Sequence, residues 1–282
     1  MSLTLGDLRR QMLVALFSDD DLFECFVLKG GNALALVHEV DDRATVDLDF
    51  SMSTAFPEDW NPEEKIGSAL ERHFRRLGYV VFDCKFKHKP SSPKAETPDW
   101  WGGYLFEFKL SDAEKYETLK TDLAAVQRNA IVLGPQQQRT YKIDISKFEF
   151  CEGKEDALVD DYTIRVYSLD MIVIEKLRAI CQQMPSYPLV ANPRARARDF
   201  YDIYTVLERR DVVLHNQKHL FEDIFAAKGV PLHLLWDVHT TYDFHEIDWP
   251  SVLDATDGQL SFRDCFDYVT QLLDDLKTHW DM

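Results

Sequence analysis

The stretch from residue 26 to residue 53, FVLKGGNALALVHEVDDRATVDLDFSMS, constrains the fold of this chain most. A short apolar run leads into a lysine and two glycines, an apolar segment follows, and the sequence VDLDF comes near the end. Side chains of a β-strand point alternately to opposite faces, so Asp47 and Asp49 share one face and the apolar residues beside them share the other. The pattern predicts a strand, a glycine turn, a helix and a second strand with one buried face.

The polar face of that second strand carries two carboxylates close together. Like charges at such a distance repel each other, and a pair of this kind is typical of a site for a divalent cation. The turn at Gly30 and Gly31 places bare backbone amides and a helix N-terminus nearby, where phosphates bind readily. The stretch therefore predicts a site for a metal ion and a phosphorylated ligand.

Two motifs in this stretch, KGGNAL and RATVDLDFS, resemble those of the AbiEii-type nucleotidyltransferase toxins, within the DNA polymerase β-like nucleotidyltransferase superfamily. The family pattern is a lysine and glycine pair before a small polar residue, followed by R-x-[ST]-x-D-x-D. Lys29, Gly30 and Gly31 match its first part, and Thr45 keeps the hydroxyl of its second part. Asn32 stands where the family usually has Ser or Thr. The resemblance implies that these five residues bind the nucleotide phosphates.

The resemblance also requires a third carboxylate on a neighbouring strand, and the segment YKIDIS supplies Asp144. Its isoleucines alternate with polar residues, so Asp144 lies on the polar face of that strand. A single strand aspartate is more often a surface residue, which is the alternative interpretation. The family implies that Asp47, Asp49 and Asp144 bind two Mg²⁺ ions, with an NTP as co-substrate, and that the third acid acts as a base in many members.

The segment SLDMIVIEKLRAI predicts a helix on which Lys176 lies on the apolar stripe formed by Leu169, Ile172 and Val173. An inward-facing lysine is costly unless its ammonium meets a carboxylate or a phosphate. The alternative is a lysine that extends from the flank of the helix to water. The segment resembles the family's E-K-L-x-A helix, whose lysine contacts the nucleotide phosphates, and we favour that role.

The segment RARARDFYDIYTVL predicts another helix, with Asp199 and Asp202 on a common flank. It resembles the family's R-x-x-D-x-x-D-[IL] helix, which packs beside the lysine helix. We expect one aspartate, with Asp199 ahead of Asp202, to pair with Lys176. Asp199 is assigned a catalytic role, and Asp202 joins the nucleotide-binding residues. The structural alternative is a pair between Arg198 and Asp202, which stabilises an isolated helix by only about 0.2–0.5 kcal/mol.

At 282 residues the chain is long enough for one large domain or two modest ones. Strands and helices mix in residues 1–167, whereas helices dominate residues 168–282. The prediction is an α+β protein with a nucleotidyltransferase-fold mixed sheet and flanking helices. A helical C-terminal domain that contributes to the active site is expected to follow.

The net charge limits which partners the protein can bind, and the cysteine usage indicates its compartment. The formal net charge of −17 opposes nucleic-acid binding by bulk attraction, so a polynucleotide would need a local basic patch such as the run from 72 to 94. The favoured interpretation of that run is a solvated helix face and an edge strand guarded by lysines. The five cysteines are scattered and no membrane span is visible, so we expect a soluble cytoplasmic protein.

The expected function is that of a nucleotidyltransferase that moves a nucleoside monophosphate from an NTP to an acceptor hydroxyl. The resemblance implies the toxin of a bacterial toxin–antitoxin system, with a cognate antitoxin as partner and tRNA as a candidate acceptor. Transfer to a protein or a small molecule is one alternative. A non-catalytic member that binds a nucleotide or a partner protein is another.

Overall fold

One mixed sheet of seven strands organises the first part of the chain. The computed structural model describes residues 3–40, 47–92, 97–133, 137–256 and 260–280. The strands are β1 (Val27–Lys29), β2 (Leu48–Ser51), β3 (Tyr79–Lys89), β4 (Gly103–Asp112), β5 (Tyr141–Ser146), β6 (Lys154–Val159) and β7 (Tyr162–Tyr167). Their order across the sheet is β3-β4-β5-β2-β1-β7-β6, so the strands nearest the D-x-D motif are central.

Helices flank this sheet in the first part of the chain, and after β7 the described elements are all helices. Those of the first part are α1 (Leu5–Phe17), α2 (Asp20–Cys25), α3 (Gly30–Leu36), α4 (Pro62–Arg76), α5 (Ala113–Leu119) and α6 (Leu123–Arg128). Those of the second part are α7 (Leu169–Cys181), α8 (Ala197–Arg209), α9 (Lys218–Ala226), a 3₁₀ helix (Leu232–Thr241), α10 (Tyr242–Glu246), α11 (Trp249–Leu253) and α12 (Phe262–His279). The architecture is the predicted α+β arrangement.

The chain divides into two units. The first comprises the described residues of Met1–Val37 and Ala44–Val166, and the second those of His38–Arg43 and Tyr167–Met282. From Leu169 onward, the described residues of the second unit form helices and the loops between them. The contribution of the helical part to the active site stays a prediction.

The strand register follows from the alternation seen in the sequence. In β5 the isoleucines Ile143 and Ile145 are fully buried, whereas Asp144 between them is partly exposed. β2 pairs in parallel with β5, which places Asp49 opposite Asp144, and antiparallel with β1, which places Lys29 opposite Asp49. One face of these strands is apolar core, and the other carries the charged row.

Local signals explain most of the helix boundaries. Ser168 caps α7 through its side chain, which accepts a hydrogen bond from the Met171 amide. In the second unit, Phe200 of α8 stacks on Phe266 of α12 with ring centroids 5.3 Å apart, so Phe200 belongs to the buried face of α8.

Three elements differ from what the sequence predicts, which is a helical stretch between residues 112 and 133, two strands over residues 141–150 and 162–166, and a helix over residues 232–239. The helical stretch predicted between residues 112 and 133 is two short helices, because Asp122 caps a new helix by accepting from the Ala125 amide. The strand Lys154–Val159 was not expected, since most of its side chains are exposed and the apolar alternation is weak. The segment Leu232–Thr241 is a 3₁₀ helix rather than an α-helix.

Candidate active site

The central strands place three charged side chains in one row. Lys29 in β1 lies opposite Asp49 in β2, which in turn lies opposite Asp144 in β5. Neighbouring strands are about 4.8 Å apart, so the two aspartates are adjacent on the same face of the sheet. The sequence predicted that Asp49 and Asp144 lie on polar faces, and the parallel register of β2 with β5 brings the two positions together.

Asp47 lies just before β2, and one oxygen of its carboxylate, Oδ1, is buried without a hydrogen-bond partner among the described residues. Burial raises the pKa of Asp47 above its ordinary value. The ammonium groups of Lys142 and Lys89 oppose that increase, whereas the carboxylates of Asp144 and Glu107 reinforce it. A buried carboxylate oxygen that lacks a donor is suited to a cation.

The donor set on this face fits a hard divalent cation, because carboxylate oxygens are the ligands that Mg²⁺ prefers. Asp47 and Asp49 are the residues that could bind it, with Asp144 adjacent. Within the described ranges, however, no three side chains of His, Cys, Asp or Glu are grouped closely enough to bind one ion. The carboxylate of Asp144 accepts a hydrogen bond from Lys89 instead.

Gly30 is the position of the turn that requires glycine. Its φ of +68° is in the left-handed region, and a Cβ added there would lie 3.0 Å from Oδ2 of Asp49. A side chain at this position would therefore crowd the Asp49 carboxylate. Gly31 follows in the first turn of α3, and Lys29, at the N-cap of that helix, makes no capping hydrogen bond with its side chain.

The ammonium of Lys29 lies near the end of β5. The residue is only 8% exposed, and its Nζ donates to Oγ of Ser146 at 3.1 Å and lies 3.9 Å from Oε1 of Glu149. Both partners follow Asp144 on the chain, and the sequence analysis did not identify them because neither belongs to a motif. The predicted contact between Lys29 and phosphate stays a prediction.

Asn32 uses both ends of its amide within the protein. Its Nδ2 donates to the backbone carbonyl of Asp47 at 2.6 Å, and its Oδ1 accepts from Nη1 of Arg9 at 3.1 Å. The side chain is fully buried, so it ties α1 and α3 to the residue that opens the D-x-D motif. The predicted phosphate contact of Asn32 is untested, and Thr45 lies outside the described residues.

In the second unit, Lys176 contacts both candidate aspartates. Its Nζ lies 2.6 Å from Oδ2 of Asp202 and 2.9 Å from Oδ1 of Asp199. The lysine and Asp202 side chains are 7% and 2% exposed. The expectation of a single carboxylate partner with Asp199 first is corrected: α7 and α8 pack so that the ammonium bridges the two acids.

Electrostatics in this cluster follow from burial and pairing. Burial alone would lower the pKa of Lys176, but the carboxylates of Asp199 and Asp202 outweigh it and raise that pKa. Burial would raise the pKa of Asp199, but Lys176 and then Arg196, 3.6 Å from its Oδ2, lower it instead. Lys176 and Asp199 are therefore both charged at neutral pH.

His245 borders the same cluster and was not identified from the sequence. Its Nδ1 accepts from the backbone amide of Arg196, at the N-cap of α8, over 2.9 Å. Burial lowers its pKa to about 4, and nearby Asp199 opposes that shift. The ring is therefore neutral at physiological pH, with the proton on Nε2, which has no hydrogen-bond partner among the described residues.

The alternative pair between Arg198 and Asp202 is wrong. Nη2 of Arg198 donates to the backbone carbonyl of Ser251 at 3.3 Å, whereas Asp202 contacts Lys176. The buried Asp202 carboxylate is directed to Lys176 of α7, whereas the Arg198 side chain is directed to α11.

The described part of the basic run, residues 72–92, is largely neutralised by acids of the first unit, and Lys94 lies outside the described residues. The ion pairs are Arg72–Asp19, Arg75–Glu71, Lys85–Asp83, Lys87–Glu107 and Lys89–Asp144. The lysines belong to β3, which is an edge strand, as the sequence-based interpretation of this run supposed. Excess positive charge on this surface is accordingly smaller than the sequence suggests.

The mixed sheet, with carboxylates on adjacent central strands and a glycine turn against them, has the architecture of a nucleotidyltransferase. A family model described as "Nucleotidyl transferase AbiEii toxin, Type IV TA system" matches residues 11–269. The chain therefore belongs to the AbiEii family of nucleotidyltransferase toxins. It is an enzyme of a toxin–antitoxin system, and the family implies an antitoxin as its partner.

Two solved structures resemble the chain at low identity. JHP933 from Helicobacter pylori is 17% identical, with 97% of this chain and 90% of that chain covered, at a TM-score of 0.49. MenT4, a nucleotidyltransferase toxin from Mycobacterium tuberculosis, is 15% identical, with 82% of this chain and 70% of that chain covered, at a TM-score of 0.45. No curated protein sequence matches the chain. The family assignment rests on the family model.

Among the described residues, no helix has the length and apolar character needed to cross a membrane.

Proposed function

We propose that this toxin is an Mg²⁺-dependent enzyme that transfers a nucleoside monophosphate from an NTP to an acceptor hydroxyl in the cytoplasm, and that tRNA is its acceptor. The observation that carries the metal part is the register of Asp49 with Asp144 beside Asp47, whose Oδ1 is buried without a partner among the described residues. Such a row of carboxylates is costly in the absence of a cation. Family membership supports the transfer reaction.

Asp47 and Asp49 would bind the metal ions, two in number, and Asp144 would join them. Bound Mg²⁺ would neutralise charge on the triphosphate and favour the ionised form of the acceptor hydroxyl. In the reaction the acceptor oxygen forms a bond to the α-phosphorus while the bond from that phosphorus to the bridging oxygen breaks, and pyrophosphate leaves. Asp144 is the candidate base that accepts the hydroxyl proton.

The turn at Gly30 and Gly31 would supply backbone amides to the phosphates, because no side chain at Gly30 separates the backbone from the carboxylate row. Asn32 fixes the carbonyl of Asp47 and so orients the start of the metal-binding strand. Its role in binding is therefore proposed to be indirect in this chain, in place of the direct hydroxyl contact expected in the family.

Lys176 and Asp199 are proposed to serve the same reaction from the helical part of the chain. Lys176 is charged and rigidly positioned by two acids, which suits a group that stabilises negative charge on phosphate. Asp199 is the more exposed of the two acids, at 14% against 2% for the Asp202 side chain. Asp202 is proposed to orient Lys176 for nucleotide binding.

A direct transfer assay tests this proposal. The protein is incubated with each of the four NTPs labelled on the α-phosphate, Mg²⁺ and total tRNA, and the expected result is label on tRNA with one or more of the NTPs. Asp49→Ala should abolish labelling, because it removes a ligand from the central pair. The matched control is Asp156→Ala, which removes an exposed carboxylate from β6 in the same unit. Equal labelling by wild type and Asp49→Ala would refute the metal-site assignment.

A second acceptor class, a protein or a small molecule, is favoured by the charge distribution. The net charge is −17, and the described part of the basic run is paired with acids, so this run offers little unpaired positive charge to a long polyanion. The same assay with protein and with small hydroxyl-bearing molecules in place of tRNA separates the classes. Label on protein or a small molecule, with none on tRNA, would replace the tRNA hypothesis and leave nucleotidyl transfer intact.

Toxicity is tested by growth. Induction of the chain alone should arrest growth, and co-expression of the neighbouring antitoxin gene should restore it. Asp49→Ala should be harmless when induced to the same level as wild type. If that variant arrests growth as wild type does, toxicity does not depend on the carboxylate row.

A further inference from the structure

The ammonium of Lys89 lies on the carboxylate that the metal site needs. Lys89 is the last residue of edge strand β3, and its Nζ donates to Oδ2 of Asp144, which belongs to β5. β4 lies between these two strands. Lys89 therefore reaches over one full strand to make this contact, whereas Lys87 pairs with Glu107 on β4, the strand next to its own.

The contact occupies one of the three acids proposed to bind metal. Asp49 and Asp144 are opposite each other, yet no three metal-binding side chains in the described part of the chain are grouped to bind an ion. Lys89 also lies within electrostatic reach of Asp47. A positive charge is thus already present where the acids Asp47 and Asp144 come near each other.

The exposure of the pair decides how strongly Lys89 is bound. The Lys89 side chain is 47% exposed and that of Asp144 is 33% exposed. Ion pairs as accessible as this one are weak, because water and salt screen them. By contrast, Asp47 Oδ1 is buried and has no hydrogen-bond partner among the described residues. The Asp47 carboxylate therefore favours a bound cation, whereas the ammonium of Lys89 is held only weakly by Asp144.

We propose that Lys89 is the exchangeable counter-ion of Asp144. In the metal-free protein its ammonium pairs with the Asp144 carboxylate, and a divalent cation displaces it from there. Lys89 is a positioning residue in this role, because it acts through Asp144. The inference rests on the proposed metal-dependent function.

Binding of Mn²⁺ alone, followed by electron paramagnetic resonance of the free ion, tests the exchange without any turnover. Lys89→Met removes the competing charge and keeps the aliphatic chain, so Mn²⁺ affinity should rise by up to about fivefold, the equivalent of about 1 kcal/mol. Lys89→Arg keeps the charge and should bind Mn²⁺ as wild type does. Lys85→Met is the matched control: it removes a similarly exposed lysine of the same strand, paired with Asp83, and should leave the affinity unchanged.

A double-mutant cycle assigns the effect to Asp144. In the Asp144→Asn background Lys89→Met should add no further gain, because the carboxylate over which the two cations compete is gone. Unchanged or weaker Mn²⁺ binding by Lys89→Met, or a gain that persists in the Asp144→Asn background, would overturn the exchange.

The proposed function fails separately. If Asp49→Ala binds Mn²⁺ as tightly as wild type, no metal binds at the carboxylate row and the broader proposal is wrong. If Asp49→Ala abolishes binding while Lys89→Met leaves it unchanged, the metal site stands and only the role of Lys89 is refuted. Circular dichroism of each variant confirms that it is folded before its affinity is compared.

Discussion

Replacing Lys176 by methionine should destabilise the second unit strongly. The change removes the ammonium and leaves the carboxylates of Asp199 and Asp202 without their shared counter-ion. The Nζ–O distances of 2.9 Å and 2.6 Å correspond to about 6 kcal/mol of attraction each at an effective dielectric constant near 20. Most of this attraction offsets desolvation in the folded protein, and breaking a buried pair typically costs about 3–5 kcal/mol. We expect a loss in that range.

The expected loss depends on pH in a defined direction. Burial would raise the pKa of Asp199, but its pairing with Lys176 holds that pKa below its ordinary value in the folded wild type. The stability that this pairing contributes is present above the unfolded value near pH 4 and is lost as the pH falls through the lower folded value. The stability gap between wild type and Lys176→Met should therefore be wide at pH 7 and narrower near pH 3.

The assay is urea unfolding combined with hydrogen exchange of peptides from α7 and α8, which assigns the change to this cluster. The double variant Lys176→Met with Asp202→Asn should recover part of the loss, because it leaves one charged acid, Asp199, with Arg196 3.6 Å away. The coupling energy in this cycle should exceed about 1 kcal/mol.

The reasoning would be refuted by a loss below about 1 kcal/mol for Lys176→Met together with no coupling to Asp202. A strong loss has a practical consequence. Absence of toxicity in a Lys176 variant is evidence for a catalytic role only when the variant is shown to be folded.

Three further changes test other parts of the structure. Asp47→Asn should raise the stability of the metal-free protein by about 1 kcal/mol, because it removes the charge of a side chain whose Oδ1 has no hydrogen-bond partner among the described residues. In a thermal melt the same variant should lose the stabilisation that Mg²⁺ gives to wild type. As the pH falls from 6.5 to about 4, the free energy of unfolding of wild type should decrease by up to about 3 kcal/mol relative to His245→Asn, because the imidazole takes up a proton in the unfolded chain but not in the folded protein. A constant difference across that pH range would contradict the lowered pKa of His245. Gly30→Ala should destabilise the protein by about 1–3 kcal/mol and abolish transfer. Gly78→Ala is the control, because Gly78 has a φ of +84° and no atom within 4 Å of the added Cβ. It should cost only the backbone strain and leave transfer unchanged in vitro.

The charged row and its register show how far the sequence reaches. Alternation of apolar and polar residues was sufficient to predict that Asp49 and Asp144 lie on the polar faces of their strands, because a period of two is a local property of the backbone. The mixed sheet and the helical second part were also predictable, since each element has its own periodicity. The strand Lys154–Val159 was not, because an exposed edge strand shows little apolar alternation.

The positioning contacts depended on packing between distant elements. Asn32 resembled a substitute for a phosphate-binding hydroxyl, yet its amide lies between Arg9 and the Asp47 carbonyl. Lys89 resembled part of a basic surface run, yet its ammonium contacts Asp144, 55 residues later in the chain. Neither partner could be found from spacing along the chain, because these contacts form only after the sheet is assembled.

The sequence by itself determined the family, the periodicity of each element and the chemistry available: carboxylates on the polar face of the central strands, a glycine turn beside them and a lysine on an apolar helix face. Only the tertiary structure decided which charges neutralise one another. Lys176 contacts two aspartates rather than one, Lys29 points to Ser146, and Lys89 covers Asp144. The physical reason is that side-chain direction is set locally, whereas the partner of a charge is set by which strands and helices pack together.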